Sequence, residues 1–355
     1  MMKRLAKYLS ICLALLGSTL SCNVHEWPEA PVDVNVLLRL EFEEPMTVDA
    51  VIDRTQFGLP IISAAPSDYD VRYRVNAYEV LASGKYSETP AVEWTFSADD
   101  ALSLDFSTTV KLAPGKYRLY AWADYVDNGS VQNKFYNADD FSAIRLIGDT
   151  HYGNLDMRDA FIGTCDIDVP VRYDLDPTAV DALLPMVRPM GKFRLVTTDL
   201  QEFVTRVLQV RQAKAEALGA TIRPEDMLPS SVNFSDFRLE IRYNGWMPNE
   251  FHMYRNEPVS GDPGKLFSSG ISPLSDNEAE LGFDYMMVKP EGMEANISLY
   301  VYDEDDQLLS KVTNIPVPLK RSKITVIKDN FLTRSAGGGV GISPGFKDDF
   351  NIFYE

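Results

Sequence analysis

Three histidines, three cysteines and a surplus of carboxylates are the residues of this 355-residue chain whose types could do chemistry. His25 stands close to the N-terminus, three residues after Cys22, which leaves His151 and His252 as the histidines that could belong to a buried site. Neither lies in an H-x-x-x-H or C-x-x-C arrangement, so the usual tetrahedral zinc spacing is missing. The glycine-rich stretch Gly337 to Gly341 is no phosphate cradle, because Pro344 and Gly345 follow it and no Lys-Ser/Thr completes a Walker loop. A connector before a terminal strand, Asn351 to Tyr354, fits it better.

Carboxylates invite calcium, and Asp303-Glu304-Asp305-Asp306 or the loop Asp124 to Asp127 could supply oxygen ligands. Neither has EF-hand spacing, and with 52 acidic residues in the chain such runs arise at hairpin tips without any metal. Paired carboxylates for glycoside hydrolysis are equally uninformative here. The expectation is no catalytic residue, no metal and no cofactor.

Aromatic rings remain, since exposed rings stack on the faces of sugars. Tyr125, Phe135 and Tyr136 lie in the long polar segment Asp124 to Phe161, and Trp246 follows the Asn244-Gly245 turn, where exposure is expected. Trp94 and Trp122 fall within strand patterns and are expected to be buried. Trp246, Tyr125 and Tyr136 therefore form the candidate ligand platform.

Charge narrows the partners. With 34 basic against 52 acidic residues the chain carries −18, which argues against nucleic acid. Lys3, Arg4 and Lys7 precede the apolar run Leu9 to Leu16 and the small residues Gly17, Ser18 and Thr19, the pattern of a secretion signal. That run is far short of the roughly 20 residues that span a bilayer. Leu20-Ser21-Cys22 resembles a lipobox, which implies cleavage and acylation at Cys22 with Thr19 as a departure from the usual Leu or Val. Removal of residues 1–21 takes away three basic and no acidic side chains, leaving 31 against 52, or −21. Cys12 leaves with the signal and Cys22 carries lipid, so Cys165 has no disulfide partner and reads as a small buried hydrophobe.

The elements that must position these residues are strands. Val32, Val34, Val36, Leu38, Leu40 and Phe42 alternate with polar positions, as do Leu102, Leu104, Phe106, Val110 and Leu112. Further strands are predicted over 70–80, 91–97, 115–123, Ile144 to Ile147 and Gly163 to Tyr173. After a connector, strands resume around Phe193 and Leu195, over 237–243, 281–287, 296–303, 308–315 and 322–330. One helix interrupts them: Asp199 and Glu202 read as its capping box, Phe203, Val204, Val207, Leu208 and Leu218 as its apolar face, and Gly219 as its stop. The predicted organisation is a signal over 1–21, a tether over 22–30, a β-sandwich over 31–178, a connector over 179–187 and a second β-sandwich over 188–355. The fold class is all-β.

Several stretches carry a family resemblance: Cys22 with Trp27-Pro28, Gly115 to Val126, Arg158-Asp-Ala-Phe161, Arg188 to Leu195, Asn244 to Pro248, and Gly339 to Gly345. Together they resemble the two-domain fimbrillin-like lipoproteins of Bacteroides-type bacteria, and within these a domain of unknown function grouped with fimbrial anchor and minor subunits. The resemblance implies paired transthyretin-like sandwiches in a cell-surface or pilus-associated adhesion protein without catalysis. Its implied partners are the outer membrane, through lipid on Cys22, and fimbrial subunits, through strand addition. No small-molecule substrate and no binding residue follows from it.

Polymerising subunits of this type resemble donor-strand polymers, in which a protease removes the first strand after a basic residue. Arg39 is the basic residue of the first strand, so it is the candidate processing site. Its position in the middle of a well-patterned strand favours an anchor or accessory subunit that keeps both strand and lipid. The alternatives are a polymerising subunit cut after Arg39 and a surface glycan-binding lipoprotein using Trp246 and the Asp124 to Phe161 loop.

Overall fold

Period-two burial organises a computed structural model that describes residues 31–53, 68–98, 106–174 and 178–334. The first half supplies β1 (Val34–Phe42), β2 (Thr47–Asp53), β3 (Tyr69–Glu79), β4 (Val92–Ala98), β5 (Phe106–Leu112), β6 (Gly115–Asp127), β7 (Tyr136–Asn137), β8 (Ile144–Leu146), β9 (Ala160–Val169) and β10 (Val180–Val187). The second supplies β11 (Met190–Thr197), helix α1 (Leu200–Ala217), β12 (Arg238–Tyr243), β13 (Trp246–His252), β14 (Glu257–Pro263), β15 (Leu266–Ser269), β16 (Ser272–Pro273), β17 (Ala279–Met287), β18 (Met293–Tyr302), β19 (Leu308–Leu319) and β20 (Lys323–Asp329). The fold is all-β with a single α-helix among the described residues. That helix is not long and apolar enough to cross a membrane.

Seven strands form one sheet in the order β4-β3-β6-β9-β10-β1-β5. Alternate residues of β1, Val34, Val36, Leu38 and Leu40, are at most 2% exposed and pack with Val71, Tyr73, Val75 and Ala77 of β3. Tyr73 of β3 stacks on Phe106 of β5 at 4.4 Å, so strands near opposite ends of the sheet lie face to face. The sheet turns over between β9 and β10, which pair at two positions, Met186 with Gly163 and Val187 with Ile162. Gly163 is required there because a Cβ would collide with Met186 Sδ and approach the Pro185 carbonyl oxygen to 3.0 Å.

The expected connector over 179–187 is therefore corrected: it is β10, parallel to β1 from Val36↔Val180 to Phe42↔Met186. Ala182, Leu184 and Met186 are buried, so the segment carries the same alternation as its neighbours. Pro185 is tolerated because β1 alone flanks it at that point.

In the second half the sheet β16-β17-β11-β20-β2 packs on the sheet β15-β12-β18-β19. Phe193, Leu195 and Leu281 meet Leu239, Ile241, Ile297 and Leu299 between them. Helix α1 closes this core with Phe203, Val204 and Leu208. The capping-box expectation fails: Asp199 precedes the helix, but its carboxylate accepts the backbone N–H groups of Leu332 (3.1 Å) and Thr333 (2.8 Å). Leu218 also departs from the expected face, at 83% exposed. Gly219, at φ 64, ends the helix as its permissive left-handed conformation allows.

The halves exchange elements. Strand β2 pairs parallel with β20 along Thr47↔Lys323 to Asp53↔Lys328. Strand β8 pairs with β13, giving an antiparallel sheet with strands from both halves in the order β14-β13-β8-β7. A third apolar cluster joins them, with Trp122, Tyr136, Phe141 and Ile162 from the first half and Met190, Phe251, Tyr285 and Met287 from the second.

Candidate functional site: the junction between the halves

The segment between β8 and β9, which its polarity marks as an exposed loop, runs instead over the second half. Asn154, at φ 58, fixes it there: its N–H donates to the Phe283 carbonyl at 2.8 Å, and its Oδ1 accepts the Phe283 N–H at 2.8 Å. A short 3-10 turn over Asp156–Arg158 then presents alternating charges to the partner half.

Three buried cations of the junction meet three carboxylates. Arg158 Nη1 donates to Asp284 Oδ1 at 2.9 Å, while His151 Nε2 lies 2.6 Å from Asp284 Oδ2 and the Tyr243 hydroxyl donates to the same oxygen at 2.5 Å. Lys192 Nζ donates to Asp156 Oδ1 at 2.6 Å and lies 4.0 Å from the centroid of the Phe283 ring. Arg188 Nε donates to Asp159 Oδ2 at 2.7 Å, with its guanidinium 4.4 Å from the Phe161 ring centroid. A fourth buried pair lies within the first half, where Arg72 grips both oxygens of Asp124 at 2.9 and 2.7 Å. Removal of either partner from such a pair strands a charge away from water, which costs several kcal/mol.

Burial alone would raise Asp284, but Arg158 and His151 outweigh it and hold the carboxyl below its ordinary value. Burial pushes Asp124 and Asp159 up in spite of Arg72 and Arg188. The Tyr243 phenol is pushed well up by burial and by the facing Asp284 carboxylate. This arrangement makes His151 a pairing group, its Nε2 facing both Asp284 Oδ2 and, at 3.0 Å, Arg158 Nη1.

Beside the network the two halves enclose a cleft of about 220 Å³. Phe135, Leu146 and Tyr152 line it from one side and Met247, Asn249, Asp262 and Lys265 from the other, with His151 and Arg158 inside.

The residues singled out in sequence do not gather at one place. Tyr125 and Tyr136 are 8% and 1% exposed, so the expected platform of Trp246, Tyr125 and Tyr136 is corrected. Tyr136 is held inside by its hydroxyl, which donates to the Arg158 carbonyl at 2.6 Å. Trp246 is exposed at 46%, on β13, and Trp122 is buried as its strand pattern implies. Trp94 is half-buried. His252 is half-buried and its Nδ1 accepts the Arg255 N–H at 3.2 Å. Cys165 is half-buried, and burial pushes its thiol up to about 11. Among the described residues no group of acids, histidines and cysteines is placed to hold a metal. Cys22, His25 and Gly337 to Gly341 lie outside the described residues.

Arg39 sits where its backbone is paired on both sides, opposite Leu183 of β10 and Ser107 of β5. Its side chain is on the outer face, 3.7 Å from Asp181.

Reasoning from the sequence missed the junction network. Its signal was nevertheless present, because Arg158-Asp-Ala-Phe161 and Arg188 to Leu195, two of the stretches that carry the family resemblance, supply Arg158, Asp159, Arg188 and Lys192.

The chain is similar to a number of solved structures, among them these three. A candidate adhesin from Bacteroides ovatus has a TM-score of 0.42 at 11% identity, over 86% of this chain and 90% of that one. The fimbrial anchor protein Mfa2 from Porphyromonas gingivalis has a TM-score of 0.37 at 12% identity, over 79% and 82%. The tip fimbrial protein Mfa3 from Porphyromonas gingivalis, with a C-terminal truncation, has a TM-score of 0.33 at 12% identity, over 81% of each chain. Curated proteins offer no match. The chain belongs to the family of unknown function DUF6562, which it matches over residues 29–354.

Proposed function

We propose that this chain is a non-catalytic lipoprotein of the cell surface, a fimbrial anchor or accessory subunit built as two tandem transthyretin-like sandwiches. The observation that carries this reading is the position of β1. It is paired with β5 from Val34 to Leu40 and with β10 from Val36 to Phe42, and it buries four large side chains in the first core. Each of those contributes about 1.5–3 kcal/mol through burial. A subunit cut after Arg39 would lose three of the four, Val34, Val36 and Leu38, and leave an apolar groove for a partner's strand. With Arg39 inside two ladders, the protease would have to unpair β1 before reaching the bond, a barrier that favours retention of the strand.

The remaining support comes from the sequence. A secretion signal over residues 1–21, followed by Cys22 as the acylated residue, supplies the outer-membrane attachment by lipid, and the acidic surface leaves that attachment to the acyl chains, since anionic headgroups would repel it. The test is co-purification: detergent-extracted, acylated protein is expected to bring fimbrial subunits with it. Recovery of the acylated protein without any fimbrial subunit, from cells that display fimbriae, contradicts the role.

A further inference from the structure

Tyr152 is the feature that this reading leaves unused. At 64% it is the most exposed aromatic ring among the large hydrophobic residues described, although it immediately follows the buried His151. Its carbonyl accepts Arg158 Nη1 at 2.9 Å, and that guanidinium is bonded to Asp284 of the other half. A rigid buried network thus fixes the backbone of a residue whose ring stands in water at the rim of the junction cleft.

The cleft that Tyr152 helps to line has an apolar part, with Leu146 and Met247, and polar groups from both halves, Lys134, His151 and Arg158 from the first and Asn249, Asp262 and Lys265 from the second. Lys265 Nζ lies 3.2 Å from Asp262 and donates to the Asp149 carbonyl at 2.8 Å, and Asn249 lines the same part of the cleft. Adjacent carboxylate, amide and ammonium groups offer acceptors and donors together, which is what a hydroxyl, itself both donor and acceptor, can satisfy. Each cation of the lining already has a carboxylate, Lys134 with Asp127, Arg158 with Asp284 and Lys265 with Asp262, so a ligand carboxylate would have to compete with the protein's own. The volume, about 220 Å³, is smaller than the roughly 300–1,000 Å³ of sites for drug-sized ligands and suits one ring.

We infer that the junction cleft binds one neutral pyranose unit of a saccharide, its C–H face against Tyr152 and its hydroxyls toward Asn249, Asp262 and Lys265. The inference stands apart from lipid attachment and fimbrial assembly, so it can fail without them and they without it.

The exported chain is titrated with glucose, galactose, mannose, N-acetylglucosamine and glucuronate, followed by saturation-transfer NMR. At least one neutral sugar is expected to bind saturably. Tyr152→Ala should weaken it by about ten-fold or more, and Tyr152→Phe should keep it within about three-fold, because the ring face and not the hydroxyl makes the contact. Asn249→Ala should weaken it as well, and Trp246→Ala should leave it unchanged. The thermal midpoint of Tyr152→Ala, equal to that of the parent, separates lost binding from lost fold. The inference is overturned if no neutral sugar binds, if glucuronate alone binds, or if Tyr152→Ala binds as well as the parent.

Discussion

His151 of the first half and Asp284 of the second lie 2.6 Å apart, Nε2 to Oδ2, in a site that neither half closes alone. Arg158 and Tyr243 complete the shell of the same carboxylate. Together with the paired strands β2–β20 and β8–β13, this makes the junction a folded interior and not a hinge.

Loss of the carboxylate should therefore be felt throughout. Asp284→Asn leaves Arg158 buried without its counter-charge, and the expected destabilisation is about 3–5 kcal/mol. Urea unfolding followed by fluorescence and by far-UV circular dichroism should show it in one coincident transition. Two separated transitions in the parent protein would mean that the halves unfold independently.

The same residue sets a pH dependence. Asp284 is held below its ordinary value in the folded chain, and unfolded aspartate titrates near about 3.9. Its contribution is complete above that unfolded value and disappears as the pH falls through the folded one. The difference in stability between parent and Asp284→Asn should be constant from neutral pH to about 4 and shrink below it. Asp124 and Asp159, which burial pushes the other way, are common to both proteins and cancel in the difference. A difference that grows on acidification contradicts the assignment.

Gly163 tests the turn-over of the first sheet. An alanine there must displace Met186 and the Pro185 carbonyl, both on β10. Overpacking of this kind costs about 1–3 kcal/mol, measurable as a lowered urea midpoint. An unchanged midpoint would show that β10 does not approach β9 as closely as described.

Cys165 should be a slow thiol. With its pKa pushed up to about 11, alkylation by iodoacetamide at pH 8 should be on the order of a hundred-fold slower in the native chain than in urea. Equal rates contradict the burial.

How much of this was legible in the sequence follows from what each residue type signals. The alternation Val34, Val36, Leu38, Leu40 announces a half-buried strand, and β1 is one. Trp246, beside a turn, is exposed as its position implies. Strand β10 was hidden because Pro185 and the preceding Asp174 to Pro177 look like a linker, while the feature that admits Pro185, a single flanking strand, exists only in three dimensions.

The site was legible in the opposite sense. Polarity marks Asp124 to Phe161 as solvated, yet Asp124, Arg158 and Asp159 are 1%, 4% and 7% exposed because each has a partner far away in sequence. Pattern alone separates apolar from polar and cannot separate paired charge from free charge. Tyr125 and Tyr136 were misread as a platform for that reason, and Tyr152, in the same segment, is the ring left in solvent.

On the proposed role, β1 and the lipid stay on the functioning protein. Intact-mass and N-terminal analysis of the protein extracted from the cell surface tests it directly. The expected product is a chain that begins at an acylated Cys22 and retains Val34–Phe42. An unacylated chain that begins at Leu40 would contradict it.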